Sequence, residues 1–177
     1  GLRIYKENKC DFVLAIGGGS PIDAAKAISI MVTNPGSLQN YMGLGKIPKK
    51  GVPVVAIPTT VGTGSEVTVF TIITNTNTDV KMLIGSPFVM PEVAIVDPLL
   101  TISCPCGLTA AVGIDALTHA IEAYVSLKAQ PMSDIFCLSA IELISGNLRQ
   151  AWANGSSVEA REKTMLGALQ AGIAFSN

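Results

Sequence analysis

A short apolar run, Phe12 to Ile16, ends directly in Gly17-Gly18-Gly19 and is followed by Ser20-Pro21-Ile22-Asp23. Few folds accommodate that order. A brief, nearly continuous apolar run reads as a strand buried on both faces. The glycines break it and let other groups approach the backbone closely. Ser20 then reads as a helix N-cap, Pro21 as the first helical residue, and Asp23 as a carboxylate in the first turn. The pattern predicts a helix to about Val32, stopping before Asn34-Pro35-Gly36. Strand, glycine turn and helix in direct succession is the building unit of an α/β fold.

The chain continues in the same style. Val52 to Ile57 is predicted as a second buried strand, ended by Pro58. Val67 to Thr74 is rich in β-branched residues and reads as a strand. Asn75-Thr76-Asn77-Thr78 is a turn, and Lys81 to Ile84 returns as its hairpin partner. Val93 to Val96 is another short strand, closed by Asp97-Pro98. Beyond Pro98 the texture changes to three helical patterns, near 108–127, 131–148 and 157–174. Asn154-Gly155 breaks the pattern before the third, and Ser156 with Glu159 reads as its capping box. The expected division is therefore an α/β domain over 1–98 and an all-α domain over 99–177.

Composition excludes several classes. Apolar residues make up 49% and charged residues 14%, too apolar a balance for disorder. The formal net charge is −1, and no basic stripe suggests a nucleic-acid partner. Gly, Pro or charge interrupts each apolar run before it could span a bilayer, and the N-terminus lacks the apolar centre of a signal peptide. No membrane partner is expected. Four irregularly spaced cysteines, Cys10, Cys104, Cys106 and Cys137, do not form a disulfide framework, so a reducing, cytoplasmic setting is expected. Cys104-Pro105-Cys106 with His119 and Cys137 could be read as a zinc site. The spacing lacks the paired ligands such sites use, and small thiols packed near a loop is the plainer reading.

Three motifs can carry chemistry. The first is the Gly17-Gly18-Gly19-Ser20 junction, where a helix start offers free N–H groups and a positive dipole end to a diphosphate. It is neither G-x-G-x-x-G nor a P-loop, and an ordinary tight turn would look the same. The second is Thr59-Thr60-Val61-Gly62-Thr63-Gly64-Ser65-Glu66, which offers hydroxyl and N–H groups to a ribose or serves only as a capped turn. Both loops follow buried strands, where open α/β sheets bind ligands. The third is Asp115-Ala116-Leu117-Thr118-His119. Its carboxylate and imidazole share one helix face and could hold one divalent ion or pair with each other. Glu122 extends that polar stripe, and Leu117, Ile121 and Val125 form a separate apolar one. His119 is the only histidine.

In this order and spacing the motifs resemble the iron-containing (group III) alcohol dehydrogenase family. Gly17 to Lys26 resembles its diphosphate segment, Thr59 to Glu66 its T-T-x-G-T-G-S-E signature, and Thr109 to Glu122 its metal-binding helix. The resemblance implies a Rossmann-like α/β nucleotide-binding domain followed by an all-α metal-binding domain, the architecture also found in dehydroquinate synthases. It implies NAD or NADP as cofactor, with Gly18, Gly19, Ser20 and Asp23 at the diphosphate and Thr59, Thr60 and Thr63 along the nucleotide. Lys81 would reach the cofactor, and Leu100 and Thr101 would touch it from the domain boundary. Asp115 and His119 would be two of four ligands to a divalent metal, Fe(II) in most of the family and Zn(II) as the alternative, and would act catalytically through it. A small alcohol or aldehyde substrate and a homo-oligomer are expected.

The other two ligands of the family are histidines beyond the motif that here is Ala171-Gly172-Ile173-Ala174-Phe175-Ser176-Asn177. The first strands of the nucleotide domain would precede Gly1. The chain thus reads as truncated at both ends, and an unpaired sheet edge should self-associate or leave the N-terminal part poorly ordered. Cys104-Pro105-Cys106-Gly107 departs from the L-P-rich family pattern, and Val112 replaces a common Thr. The rival readings are a glycerol dehydrogenase-like or dehydroquinate synthase-like enzyme of the same fold, or a non-catalytic nucleotide-binding fragment.

Overall fold

The computed structural model describes residues 1–176. Asn177, the last residue of the Phe-Ser-Asn motif, lies outside them.

A short helix α1 (Leu2–Glu7) precedes strand β1 (Val13–Gly17), and helix α2 (Gly19–Thr33) follows the glycine turn at once. Gly17 has φ +148°, which permits so abrupt a turn. The helix consequently starts earlier than its polar residues suggest. Gly18, not Ser20, is the N-cap, and among the described residues no side chain caps the helix. Ser20 and Pro21 become residues of the first turn. The missing N–H of Pro21 costs little there, because first-turn amides lack intrahelical partners anyway.

Two short strands follow, β2 (Gly43–Leu44) and β3 (Val54–Pro58). The hairpin is formed by β4 (Phe70–Asn75) and β5 (Val80–Gly85), with Thr74 opposite Lys81. The β-branched run before Phe70 is partly a 3-10 turn over Ser65–Val67, so β4 begins later than predicted. Strand β6 (Val93–Ala94) is short. Strands β1, β3 and β6 form a parallel sheet in the order β1-β3-β6, and β2, β5 and β4 form a second sheet in the order β2-β5-β4. Helix α2 packs on one face of the parallel sheet, where Ala15, Ile22, Ala25, Val54 and Ala56 form a core. On the other face Leu14, Ile16 and Val93 are about half exposed.

The helical region comprises α3 (Cys106–Tyr124), α4 (Pro131–Ala153) and α5 (Val158–Phe175). The cap of α5 is Ser157, whose hydroxyl accepts from the Ala160 N–H. The Ser156–Glu159 capping box therefore does not form. Instead Ser156 donates its hydroxyl to the Asn154 side chain within the preceding turn. The apolar stripe Leu117–Ile121–Val125 does not bury itself either: Ile121 and Val125 are exposed. Small residues of α3, Gly113, Ala116 and Ala120, face the neighbouring helices instead. The reason is close approach, since a Cβ on Gly113 would fall 2.3 Å from a Leu148 methyl.

Candidate active site

The loop from Thr59 to Glu66 joins the two regions, and its small residues explain how. Val61 inserts into the helical core formed by Ala116, Ile144, Leu148, Met165 and Ala168. A Cβ on Gly62 would lie 2.8 Å from the Val112 carbonyl oxygen on α3. One on Gly64, which has φ +60°, would lie 2.8 Å from the Gly172 Cα on α5. On its other side the loop meets the glycine turn. A Cβ on Gly18 would approach Thr60 Oγ1 to 2.9 Å, and one on Gly19 would approach Thr63 Cγ2 to 2.6 Å. The loop is thus pressed between the start of α2 and the helical region, with no room for larger side chains at the glycines.

Asp23 ties this arrangement to the hairpin. Its carboxylate accepts from the Ser65 hydroxyl at 2.6 Å and from the Ile72 N–H at 3.2 Å. The Thr71 hydroxyl donates to its backbone carbonyl at 2.9 Å. Burial pushes the carboxyl pKa up, and those hydrogen bonds with the nearby Lys26 charge pull it back. Glu66 is also shifted up by burial.

Between the regions lies a cavity of about 430 Å³. Asp23, Thr63 and Lys81 line it from the α/β side, and Asp115 and His119 from α3. These five of the sequence-selected residues come together. His119 Nε2 and Asp115 Oδ1 are 3.9 Å apart, beyond hydrogen-bond range. Neither is therefore committed to the other, as a simple helical pair would be. The His119 ring stacks at a tilt on Phe175, centroids 5.3 Å apart, and Phe175 meets Phe70 edge-on at 5.9 Å.

The other selected residues are placed elsewhere. Gly18, Gly19 and Ser20 at the start of α2, and Thr59 and Thr60 in the loop after β3, lie outside the cavity wall. Leu100 is exposed in the 3-10 turn over Pro98–Thr101. Thr101 is fully buried, donates its hydroxyl to the Pro98 carbonyl at 2.7 Å, and lines a separate small void beside Arg161. The zinc reading of the cysteines fails. Cys137 is buried beside Ala123 and Ala174, Cys10 and Cys106 are exposed, and all four thiols are free. Among the described residues no three His, Cys, Asp or Glu side chains cluster for a metal.

Ser65, Thr68, Phe70, Ile72, Leu83 and Phe175 also line the cavity and went unselected in the sequence. Most are apolar or small hydroxyl residues on strand-like stretches, which carry no chemical signature. Lys26 went unselected too, yet a signal existed. Ile22, Lys26 and Ile30 share one helix face, and all three are fully buried.

Comparison with known proteins gives a consistent picture. The family model "Iron-containing alcohol dehydrogenase" matches residues 1–98, and the model for the C-terminal part of the Fe-containing alcohol dehydrogenase family matches 109–177. The chain is 48% identical to a 1,3-propanediol dehydrogenase of Klebsiella pneumoniae, over 100% of this chain and 46% of that protein. It is 47% identical to an NAD-dependent methanol dehydrogenase of Bacillus methanolicus, over the same shares of each. The crystal structure of a 1,3-propanediol oxidoreductase superposes with a TM-score of 0.97 at 48% identity, covering 99% of this chain and 46% of that one. A sulfoacetaldehyde reductase from Bifidobacterium kashiwanohense, in complex with NAD+, superposes with a TM-score of 0.94 at 42% identity, covering 99% and 47%. The chain spans about half the length of the curated relatives it matches. No helix among the described residues is long and apolar enough to cross a membrane.

Proposed function

The chain belongs to the iron-containing alcohol dehydrogenase family, and from that premise we propose that it carries the cofactor loops and half of the metal site of an NAD(P)-linked dehydrogenase of small alcohols. One observation carries the proposal: a single cavity is lined by Asp23, Thr63 and Lys81 on one side and by Asp115 and His119 on the other. A dinucleotide held by the first wall would face a substrate held by the second.

The residues fit the two groups to different degrees. For the dinucleotide, Gly18 and Gly19 bear no side chains of their own and let Thr60 and Thr63 close in on the start of α2, whose first-turn N–H groups suit a diphosphate. For the metal, Asp115 and His119 offer one oxygen and one nitrogen donor on neighbouring turns, a set that suits Fe(II) or Zn(II). Such sites take about four ligands. The remaining ones are not among the described residues. When bound, the metal would act as a Lewis acid on the alcohol oxygen, and the nicotinamide would accept the hydride from the adjacent carbon.

The chain's own share is orientation and exclusion of water. Thr63 and Lys81 would hold the nucleotide at the α/β wall. Phe70, Ile72, Leu83 and Phe175 make the space between the walls largely apolar, which favours a small, weakly polar substrate. The relatives named above act on 1,3-propanediol and methanol, which supports an alcohol–aldehyde pair as the substrate class here.

The test is a fluorescence titration of NADH and NADPH into the chain as it stands. Saturable binding of either is expected, because both glycine-bearing loops are present. Absence of binding to both would count against the cofactor assignment.

A further inference from the structure

Lys26 has no place in the reaction just described, and its surroundings are unusual for a lysine. It lies on α2 between Ile22 and Ile30 and is fully buried. A buried ammonium is ordinarily retained by a carboxylate. Here no carboxylate oxygen comes within ion-pair distance among the described residues. Nζ instead donates to the Thr68 carbonyl at 2.9 Å, to the Phe70 carbonyl at 2.7 Å and, at longer range, to Thr68 Oγ1 at 3.3 Å. Those acceptors belong to the segment linking the Thr59–Glu66 loop to β4. Asp23, one turn earlier on α2, holds the same segment at Ser65 and Ile72.

We propose that Lys26 is a positioning residue for cofactor binding: it fixes the 65–72 segment against α2, so that the glycine turn and the Thr63–Lys81 wall stay in register. The inference rests on the dehydrogenase reading for its cofactor, but its structural half does not. The geometry explains why the residue is a lysine. A long side chain with several donors spans from the helix to two carbonyls two residues apart, and the slightly shorter methionine would pack without linking them. An apolar replacement here removes the cost of burying the charge but leaves the Thr68 and Phe70 carbonyls without that donor, two effects that oppose each other in stability. Stability and binding are therefore read together, so that a positioning role is told apart from a general loss of the fold.

The experiment uses Lys26→Met in the chain as it exists, with two readouts. The first is NADH affinity beside melting temperature. The second is amide hydrogen exchange without nucleotide. The expected result is a dissociation constant at least tenfold weaker, a melting temperature changed by only a few degrees, and faster exchange at Val67 and Ile72 while α3 to α5 keep their protection. Affinity within twofold of the parent would overturn the proposal. So would unchanged exchange at Val67 and Ile72, and this second criterion applies even to a parent chain that binds no nucleotide, an outcome that would count separately against the dehydrogenase reading. If both Lys26→Met and Lys26→Gln fail to fold, the residue is needed for the fold itself and the positioning role is rejected.

Discussion

Gly64 and Gly172 meet backbone to backbone. A Cβ on either would lie within 3.0 Å of the other's Cα. The loop that carries the T-T-x-G-T-G-S-E signature therefore rests directly on α5, the helix that ends at Phe175 in the cavity wall. Two segments distant in sequence are held so close that a side chain on either would crowd the other's backbone.

Gly172→Ala separates two opposing effects. In a helix, alanine is favoured over glycine by about 1 kcal/mol. The added methyl would crowd the Gly64 backbone and the stiff Val67 side chain, each at 3.0 Å, and overpacking of this kind costs about 1–3 kcal/mol. Net destabilisation of about 1 kcal/mol is expected in urea unfolding, together with weaker NADH binding because the loop is displaced. A Gly172→Ala protein more stable than the parent would mean that the contact has slack.

The pH dependence of stability follows from Lys26. Burial lowers its pKa from 10.5 to about 8. The folded state thus prefers the neutral amine more strongly than the unfolded chain does. Below about 8 the lysine is charged in both states and its burial penalty is complete. Between about 8 and 10.5 the folded form loses its proton first, so the lysine's contribution becomes more favourable as pH rises. The melting temperature of the parent relative to Lys26→Met should therefore climb from pH 8 to pH 10, and thermal scans across that window check it. A constant difference would show that the ammonium is not desolvated as its burial implies.

His119→Ala tests the two walls separately. Cobalt(II) added to the parent chain should give a weak but saturable spectroscopic response, since one carboxylate and one imidazole are available. The substitution should weaken that response tenfold or more. NADH affinity should stay within about twofold, because His119 stands on the wall opposite Thr63 and Lys81. Equal cobalt responses from parent and variant would remove His119 from the metal site.

The parallel sheet makes a further outcome measurable. Among the described residues strand β1 pairs only with β3, and Leu14 and Ile16 stand about half exposed on the face away from α2. An unpaired edge beside an apolar face is a template for association. Sedimentation of this chain should show oligomers that Leu14→Lys with Ile16→Lys reduces. A parent that sediments as a monomer at high concentration would contradict this.

Much of the fold was legible because local signals agreed with one another. The run Phe12–Ile16, the glycines after it and the helix beyond are all decided by neighbours in sequence, and each appears close to its expected place. The misses share a cause. Ser20 and Ser156 both have good capping chemistry, yet Gly18 and Ser157 became the caps, because turn geometry one or two residues away set where each helix began. The stripe Leu117–Ile121–Val125 has the spacing of a buried face, yet α3 presents Gly113, Ala116 and Ala120 to its neighbours, because close helix packing favours small residues there.

The sequence by itself determined the succession of elements, the two glycine-bearing loops and the placement of Asp115 and His119 on one helical face. All of these depend on spacings of a few residues, over which backbone geometry is nearly fixed. Tertiary structure alone decided that Asp23, Thr63 and Lys81 stand opposite Asp115 and His119 across one cavity, that Thr101 turns away from it, and that Lys26 reaches Thr68 and Phe70. Those relations join residues that are tens of positions apart. They depend on how sheet, loop and helices settle against one another, and a linear order of residue types does not specify that packing.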